Sequence, residues 1–140
     1  MKVSEYYKRF PDESACRQIM KIVREKEGVI CKKCGGEEYY WKNDKECFEC
    51  KICKFRTSLK SGTIMENSNL PVNYWLFVIF LFEITENAIP ALELQKVIKH
   101  KRYEPIWRMC KKIKNTPKKD NFSYELSKHI KVWEVIQEEK

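Results

Sequence analysis

Glycine and proline are scarce in this chain, 4 and 5 of 140 residues, which leaves no room for a long flexible linker or a proline-rich spacer. No low-complexity tract and no internal repeat is present. Long apolar runs are missing too. The longest, Tyr74 to Phe82, falls well short of the roughly 20 residues that a membrane-spanning helix requires. Met1 to Phe10 are charged and aromatic and lack the apolar centre of a secretory signal. These absences predict a soluble, cytoplasmic protein. Thiols stay reduced in that compartment, so the seven cysteines are not expected to form a disulfide framework, and metal binding is the expected use.

What is present is a core and a charge. Hydrophobic residues make up 43% and aromatics 13%, which excludes wholesale disorder. The length suits one ordinary domain or two small ones sharing a seam. The net charge of +8 is concentrated: between Lys96 and Lys119 ten Lys or Arg stand against the single acid Glu104, so this stretch carries +9 and the remainder −1. A localised basic excess is the footprint of a surface that binds a polyanion, although a charge run alone equally describes a solvated helix face.

Along the chain, Asp12 to Lys26 reads as a helix. Asp12 and Glu13 sit in its first turn, Ala15, Ile19, Ile22 and Val23 recur at helical spacing, and Gly28 ends it. From Val29 to about Leu59 the pattern changes to short β-type runs, with Tyr39-Tyr40-Trp41 and Glu46 to Glu49 flanking a turn at Asn43-Asp44, which predicts a hairpin. After Gly62 comes a connecting stretch. Three further helices follow: Pro71 to about Glu86, Pro90 to Ile98, and Glu104 to about Lys114, each with a Pro at or near its start. Ile130 to Ile136 alternates apolar residues and is open to strand or helix.

The most specific motif is Cys31-x-x-Cys34, fifteen intervening residues, then Cys50-x-x-Cys53. Each pair forms a tight knuckle that aims two thiolates at one point, and a hairpin between the pairs brings them together in a tetrahedral sulfur site. Four soft, charged ligands suit one Zn²⁺ with no open position for water, hence a structural ion whose binding energy is folding energy. Four buried small hydrophobes, or an iron–sulfur cluster, are the alternatives. Cys47-x-x-Cys50 has the same spacing, so Cys47 competes with Cys53. Cys50 and Cys53 are favoured because Lys51 to Lys54 fits a second knuckle, whereas Cys47 falls in the strand that leads into it. Cys16 and Cys110 occupy apolar helix positions and read as core, and neither His100 nor His129 has ligand-like spacing to a partner.

The three C-terminal helices are joined by short turns, as a helix-turn-helix trihelical unit requires. In that arrangement the first is the support, the second crosses the DNA backbone and the third enters the groove. On the third, Ile106, Cys110 and Ile113 share one face, while Arg108, Lys111 and Lys112 fall largely away from it. Lys101, Arg102 and Tyr103 sit in the turn before. Such cations neutralise phosphates, and an Arg can pair bidentately with guanine. These six residues are the expected DNA contacts, while Trp107 is expected in the core.

Taken together, Phe10-Pro11-Asp12-Glu13, the paired knuckles, Ser61-Gly62-Thr63-Ile64, Leu70-Pro71 with Trp75, Ala91-Leu92-Glu93-Leu94-Gln95 and Tyr103-Glu104-Pro105-Ile106-Trp107-Arg108-Met109 resemble one bacterial family over about residues 10 to 115. It is the zinc-ribbon insertion-sequence transposases, whose N-terminal region joins a zinc ribbon to a helix-turn-helix. The resemblance implies recognition of terminal inverted repeats by this region, with cutting and joining left to a following RNase H-like domain. That domain opens with a strand of the type Ile-Glu-Val-Asp-Glu, whose Asp binds metal. Here the matching stretch is Ile130-Lys131-Val132-Trp133-Glu134, with Trp in place of that Asp, and the sequence reaches Lys140 before further acidic ligands occur. Two-metal chemistry without its carboxylates is not expected. Two smaller departures are Thr57, where the family usually has Phe, and Lys99, which replaces a common turn Gly.

The expected fold is therefore α+β: an N-terminal helix and a small β zinc ribbon, then an α-helical helix-turn-helix unit. The expected segments are 1–66, 67–118 and a tail over 119–140. The expected function is a stand-alone DNA-binding protein without catalysis, with one structural Zn²⁺, double-stranded DNA as partner and no membrane association. A protein-interaction adaptor anchored by Tyr39, Tyr40 and Trp41 is the second reading, and RNA binding the third. Self-association through the helix from Pro71 is open to the chain, because its apolar run exceeds what one helix face needs.

Overall fold

A computed structural model describes residues 3–85 and 89–115. The tail segment 119–140, with Ile130 to Ile136 and Trp133, lies outside the described residues, as do Met1, Glu86 and His129. Among the described residues the fold is α+β, with five helices and one three-stranded antiparallel sheet.

Helix α1 (Val3–Arg9) precedes α2 (Glu13–Glu27). Asp12 caps α2, its carboxylate accepting the Ala15 N–H at 2.8 Å, and Gly28 at φ +93° ends the helix with its N–H on Arg24 O. The inward stripe of α2 is Cys16, Met20 and Val23. Ala15 and Ile22, expected on that stripe, are instead exposed: each lies one residue, hence about 100°, from a buried neighbour, Cys16 and Val23, around the helix.

Strands β1 (Tyr39–Lys42), β2 (Cys47–Cys50) and β3 (Arg56–Ser58) lie in that order, with Trp41 opposite Phe48 and Phe48 opposite Thr57. Alternation along the strands puts Tyr39, Trp41, Phe48 and Thr57 on one face. Tyr39 and Trp41 pack on the buried Phe48 ring with centroids 4.9 Å away, while Tyr40 points outward, 56% exposed. Two of the three aromatics at this position thus build the sheet's own core. On β2, Glu49 ties the sheet laterally to Lys42 at 3.3 Å and Arg56 at 3.6 Å.

The connection to α3 (Val72–Thr85) is a succession of turns rather than a slack linker, with N–H bonds from Ser61 to Ser58 O, Thr63 to Lys60 O, Glu66 to Thr63 O and Ser68 to Met65 O. Lys60 Nζ donates to Ser68 O and Leu70 O, the Arg24 guanidinium to Ser61 O, and Trp75 Nε1 to Ser68 Oγ. Arg24 is buried, and that burial lowers its pKa. Glu13 reaches across from α2 to accept the N–H groups of Val72 and Asn73 at 3.0 and 2.8 Å, capping α3 from outside.

Helix α3 is the centre of the molecule. Val72 and every residue from Trp75 to Phe82 are buried, as a helix apolar on all sides requires. The rings of Tyr7 and Phe10 close edge-on over Phe77, and α2 and α5 pack on other sides. The surplus of apolar positions is thus covered within the chain, leaving no exposed apolar face on this run. Helices α4 (Ala91–Ile98) and α5 (Tyr103–Asn115) pack on each other, burying Leu94 and Ile98 against the stripe Ile106, Met109 and Cys110. Lys99, where a Gly is common, takes the left-handed conformation itself, φ +62° and ψ +37°, with its N–H on Gln95 O. No helix among the described residues is long and apolar enough to cross a membrane.

Candidate metal centre and basic groove

Two short loops carry the four cysteines and are built alike. In the first, Gly35 N–H bonds Cys31 O at 2.9 Å and Cys31 N–H bonds Gly36 O at 2.9 Å. In the second, Lys54 N–H bonds Cys50 O at 3.0 Å and Cys50 N–H bonds Phe55 O at 2.9 Å. In each, the residue after the second cysteine turns the chain through positive φ, +76° at Gly35 and +64° at Lys54. The hairpin β1–β2 brings the loops face to face, because β2 ends at Cys50.

Cys31, Cys34, Cys50 and Cys53 converge, with all four ligand atoms within 4.8 Å of one another. Cys31 Sγ lies 3.4 Å from Cys53 Sγ, and Cys34 Sγ lies 3.5 Å from Cys50 Sγ. Four sulfurs bound tetrahedrally at ~2.3 Å stand about 3.8 Å apart, so the cluster has the spacing for one ion at its centre and can hold a metal. The surroundings divide the thiols: the Gly36 N–H lowers Cys34, but the hydrogen bonds of Cys34 to the Cys50 and Cys53 sulfurs outweigh that and push it up to about 12, while Cys50 and Cys31 are lowered. Backbone N–H groups of Cys53 and Ile52 pull the Cys50 thiol down to about 6, and those of Cys34 and Lys33 lower Cys31. Gly36 belongs to this site although the cysteine spacing does not point to it. A Cβ there would stand 3.0 Å from Ile52 Cδ1 and 3.3 and 3.4 Å from the sulfurs of Cys34 and Cys50.

Cys47 lies opposite Lys42 at the start of β2 and is outside the cluster, so the geometry selects Cys53. Cys16 and Cys110 are core residues, as expected. They lie outside the sulfur cluster, and burial pushes their thiols up to about 12 and about 11.

The second constellation lies on α5. Arg108, Lys111 and Lys112 are exposed on its outer side, Lys101 and Arg102 are exposed in the preceding turn, and Tyr103, also exposed, is the first helical residue rather than part of the turn. Arg108 pairs with Glu104 one turn back. Trp107, expected in the core, is 43% exposed instead. The inward stripe runs through Ile106, Met109 and Cys110, and position 107 is about 100° from 106 around the helix. Tyr103, Trp107 and Lys111 therefore form an outward stripe at i, i+4 spacing, with Lys111 Nζ 5.0 Å above the Trp107 ring.

Two depressions flank this face. One, of about 790 Å³, runs between Trp107, Arg108, Lys111 and Lys112 and the turns at 63–67. The other, of about 480 Å³, continues past Asn67 toward Leu70, with Arg102, Arg108 and Lys112 on its α5 side. Lys101 and Tyr103 line neither. No family model, curated protein or solved structure matches this chain.

Proposed function

We propose that this chain is a zinc-ribbon and helix-turn-helix protein of transposase descent that recognises a repeat-like site in double-stranded DNA and does not catalyse transposition. The supporting observation is the outer face of α5. Its cations Arg108, Lys111 and Lys112 are exposed, while its inner face is anchored in the molecule's core through Ile106, Met109 and Cys110. In this reading α5 enters the major groove, α4 crosses the backbone behind it and α3 is the support. Lys101 and Arg102 meet phosphates at the mouth of the groove, and Tyr103 donates a hydroxyl there.

The four thiolates hold one Zn²⁺, which supplies a crosslink between the two cysteine loops. All four positions of a tetrahedral ion are occupied by protein sulfur, so the ion is structural. Its place in the mechanism is to keep the sheet and the turns at 60–70 in the arrangement that supports α5.

The test is binding of zinc-loaded protein to a random duplex pool at graded salt, beside Lys111→Glu/Lys112→Glu. Enrichment of a defined repeat is expected, lost in the variant and weakened by roughly 10³-fold between low and moderate salt for six or more phosphates contacted. Binding that is absent, or indifferent to sequence and to the variant, refutes the reading. A protein-interaction adaptor is the second reading. Its support is the apolar surface of Ile30, Tyr40, Ile52 and Phe55, all exposed in or beside the cysteine loops, and stoichiometric capture of a protein by a chain that ignores nucleic acid would favour it.

A further inference from the structure

The geometry points to the groove between α5 and residues 63–67 as the seat of one strand of the bound duplex, with Trp107 as a contact residue and Glu66 as the acid that limits affinity there. This rests on the DNA-binding reading and adds to it a surface outside the basic residues already named.

Four observations carry it. Trp107 is a large aromatic, 43% exposed, on a helix whose inward side is complete without it. An exposed tryptophan between cations offers an apolar face beside phosphate-binding groups, the pairing that a deoxyribose and a thymine methyl beside a phosphate would satisfy. Lys111, with Nζ 5.0 Å above the ring, already places a cation at that face.

The opposite wall is preformed. The turns at 63–67 are held by Thr63 Oγ1 on Lys60 O at 2.6 Å, by the Glu66 and Ser68 N–H bonds, and by Lys60 Nζ on Ser68 O and Leu70 O. A strand entering between the walls therefore pays little ordering cost on that side.

The charge of the groove suits a polyanion. Arg108, which Glu104 pairs from one turn back, and Lys111 and Lys112 face Glu66, the acid that lines the opposite wall. Glu66 is held by Lys32 Nζ at 3.1 Å, and Lys32 comes from the first cysteine loop. The loop thus reaches the rim of the groove through this ion pair. Glu66 both repels a phosphate and occupies a lysine that would otherwise meet one.

The experiment uses the full, metal-loaded chain, the duplex enriched from the random pool, and binding titrations at several salt concentrations. The proteins are wild type, Trp107→Ala, Glu66→Gln and Lys111→Glu/Lys112→Glu, each with a thermal midpoint. Trp107→Ala is expected to weaken binding by about tenfold with the salt slope and the midpoint unchanged, because an apolar contact to a base or sugar is lost. Glu66→Gln is expected to tighten binding and to steepen the salt slope by about one, because Lys32 gains a phosphate. If wild type binds and the charge-reversed variant does not, yet Trp107→Ala binds like wild type, the strand does not lie in this groove and the proposal falls while the DNA-binding reading stands. A Trp107→Ala loss that follows a lowered midpoint makes Trp107 structural and overturns the proposal. Glu66→Gln without effect overturns the placement of the strand against residues 63–67. Preference for single-stranded DNA or RNA overturns the commitment to a duplex. A wild type that binds no nucleic acid overturns both readings together.

Discussion

Lys54 and Lys99 each hold the chain in a left-handed turn, at φ +64° and +62°, a conformation that costs a residue with a Cβ about 1 kcal/mol relative to glycine. Lys99 closes α4 and Lys54 closes the second cysteine loop, where its counterpart in the first loop is Gly35. Lys99→Gly is therefore expected to raise unfolding free energy by a few tenths to about 1 kcal/mol, the gain in turn strain exceeding the loss from a more flexible unfolded chain. Urea titration checks this, and a variant less stable than wild type would contradict it. The cysteines separate at the same scale. Cys53→Ser is expected to abolish stoichiometric metal retention, whereas Cys47→Ser keeps one ion per chain, because only Cys53 lies in the sulfur cluster. Metal analysis after gel filtration distinguishes them, and equal loss in both would restore Cys47 as a ligand.

At the scale of elements, legibility depended on how local the cause was. The start of α2 was legible to within one residue: Asp12, read as part of the first turn, is the cap just before it and binds a turn three residues away. The buried character of α3 was legible too, since no other use suits so long an apolar run. Glu13 was assigned by position to the first turn of α2, and its long-range bond to the start of α3 was not legible, because it joins residues 59 and 60 positions apart. Glu13→Ala is expected to cost about 1–2 kcal/mol, as it removes a charged acceptor from two N–H groups at a helix N-terminus. Equilibrium unfolding checks the magnitude, and a neutral effect would mean that water replaces the carboxylate at no cost. Helix α1 had no sequence expectation at all. It is a short segment whose Tyr7, with Phe10 just after its end, finds its partner, Phe77, on a distant helix, and helices of that length depend on tertiary packing.

For the whole molecule, the important fact is that the cysteine-bearing unit and the helices share one core. Phe48 and Leu59 belong to the same buried cluster as Met20, Trp75 and Ile106. Removing the metal with a chelator is therefore expected to lower the stability of the helices as well, as a single transition at reduced temperature, because a metal that binds only the folded state adds its binding energy to folding. Helical circular dichroism followed through melting with and without chelator tests this. An unchanged helical melt would show that the loops are energetically separate. Cys16 and Cys110 should resist alkylation until that melt, since burial holds both thiols protonated.

The sequence by itself determined what short-range spacing controls: that cysteine pairs build a sulfur site around a hairpin, that Ile106 and Cys110 face inward on α5, and where the positive charge collects. Those follow from a few residues and a fixed helical or loop geometry. Only the tertiary structure decided what depends on the arrival of another element. It left Trp107 outside by completing the α5 core with Met109, turned Glu13 into a cap for α3, and set the turns at 63–67 opposite a basic helix with Lys32 bound to Glu66. A side chain's exposure and its ionic partner are properties of the surface it meets, and for these residues that surface is formed by chain remote in sequence.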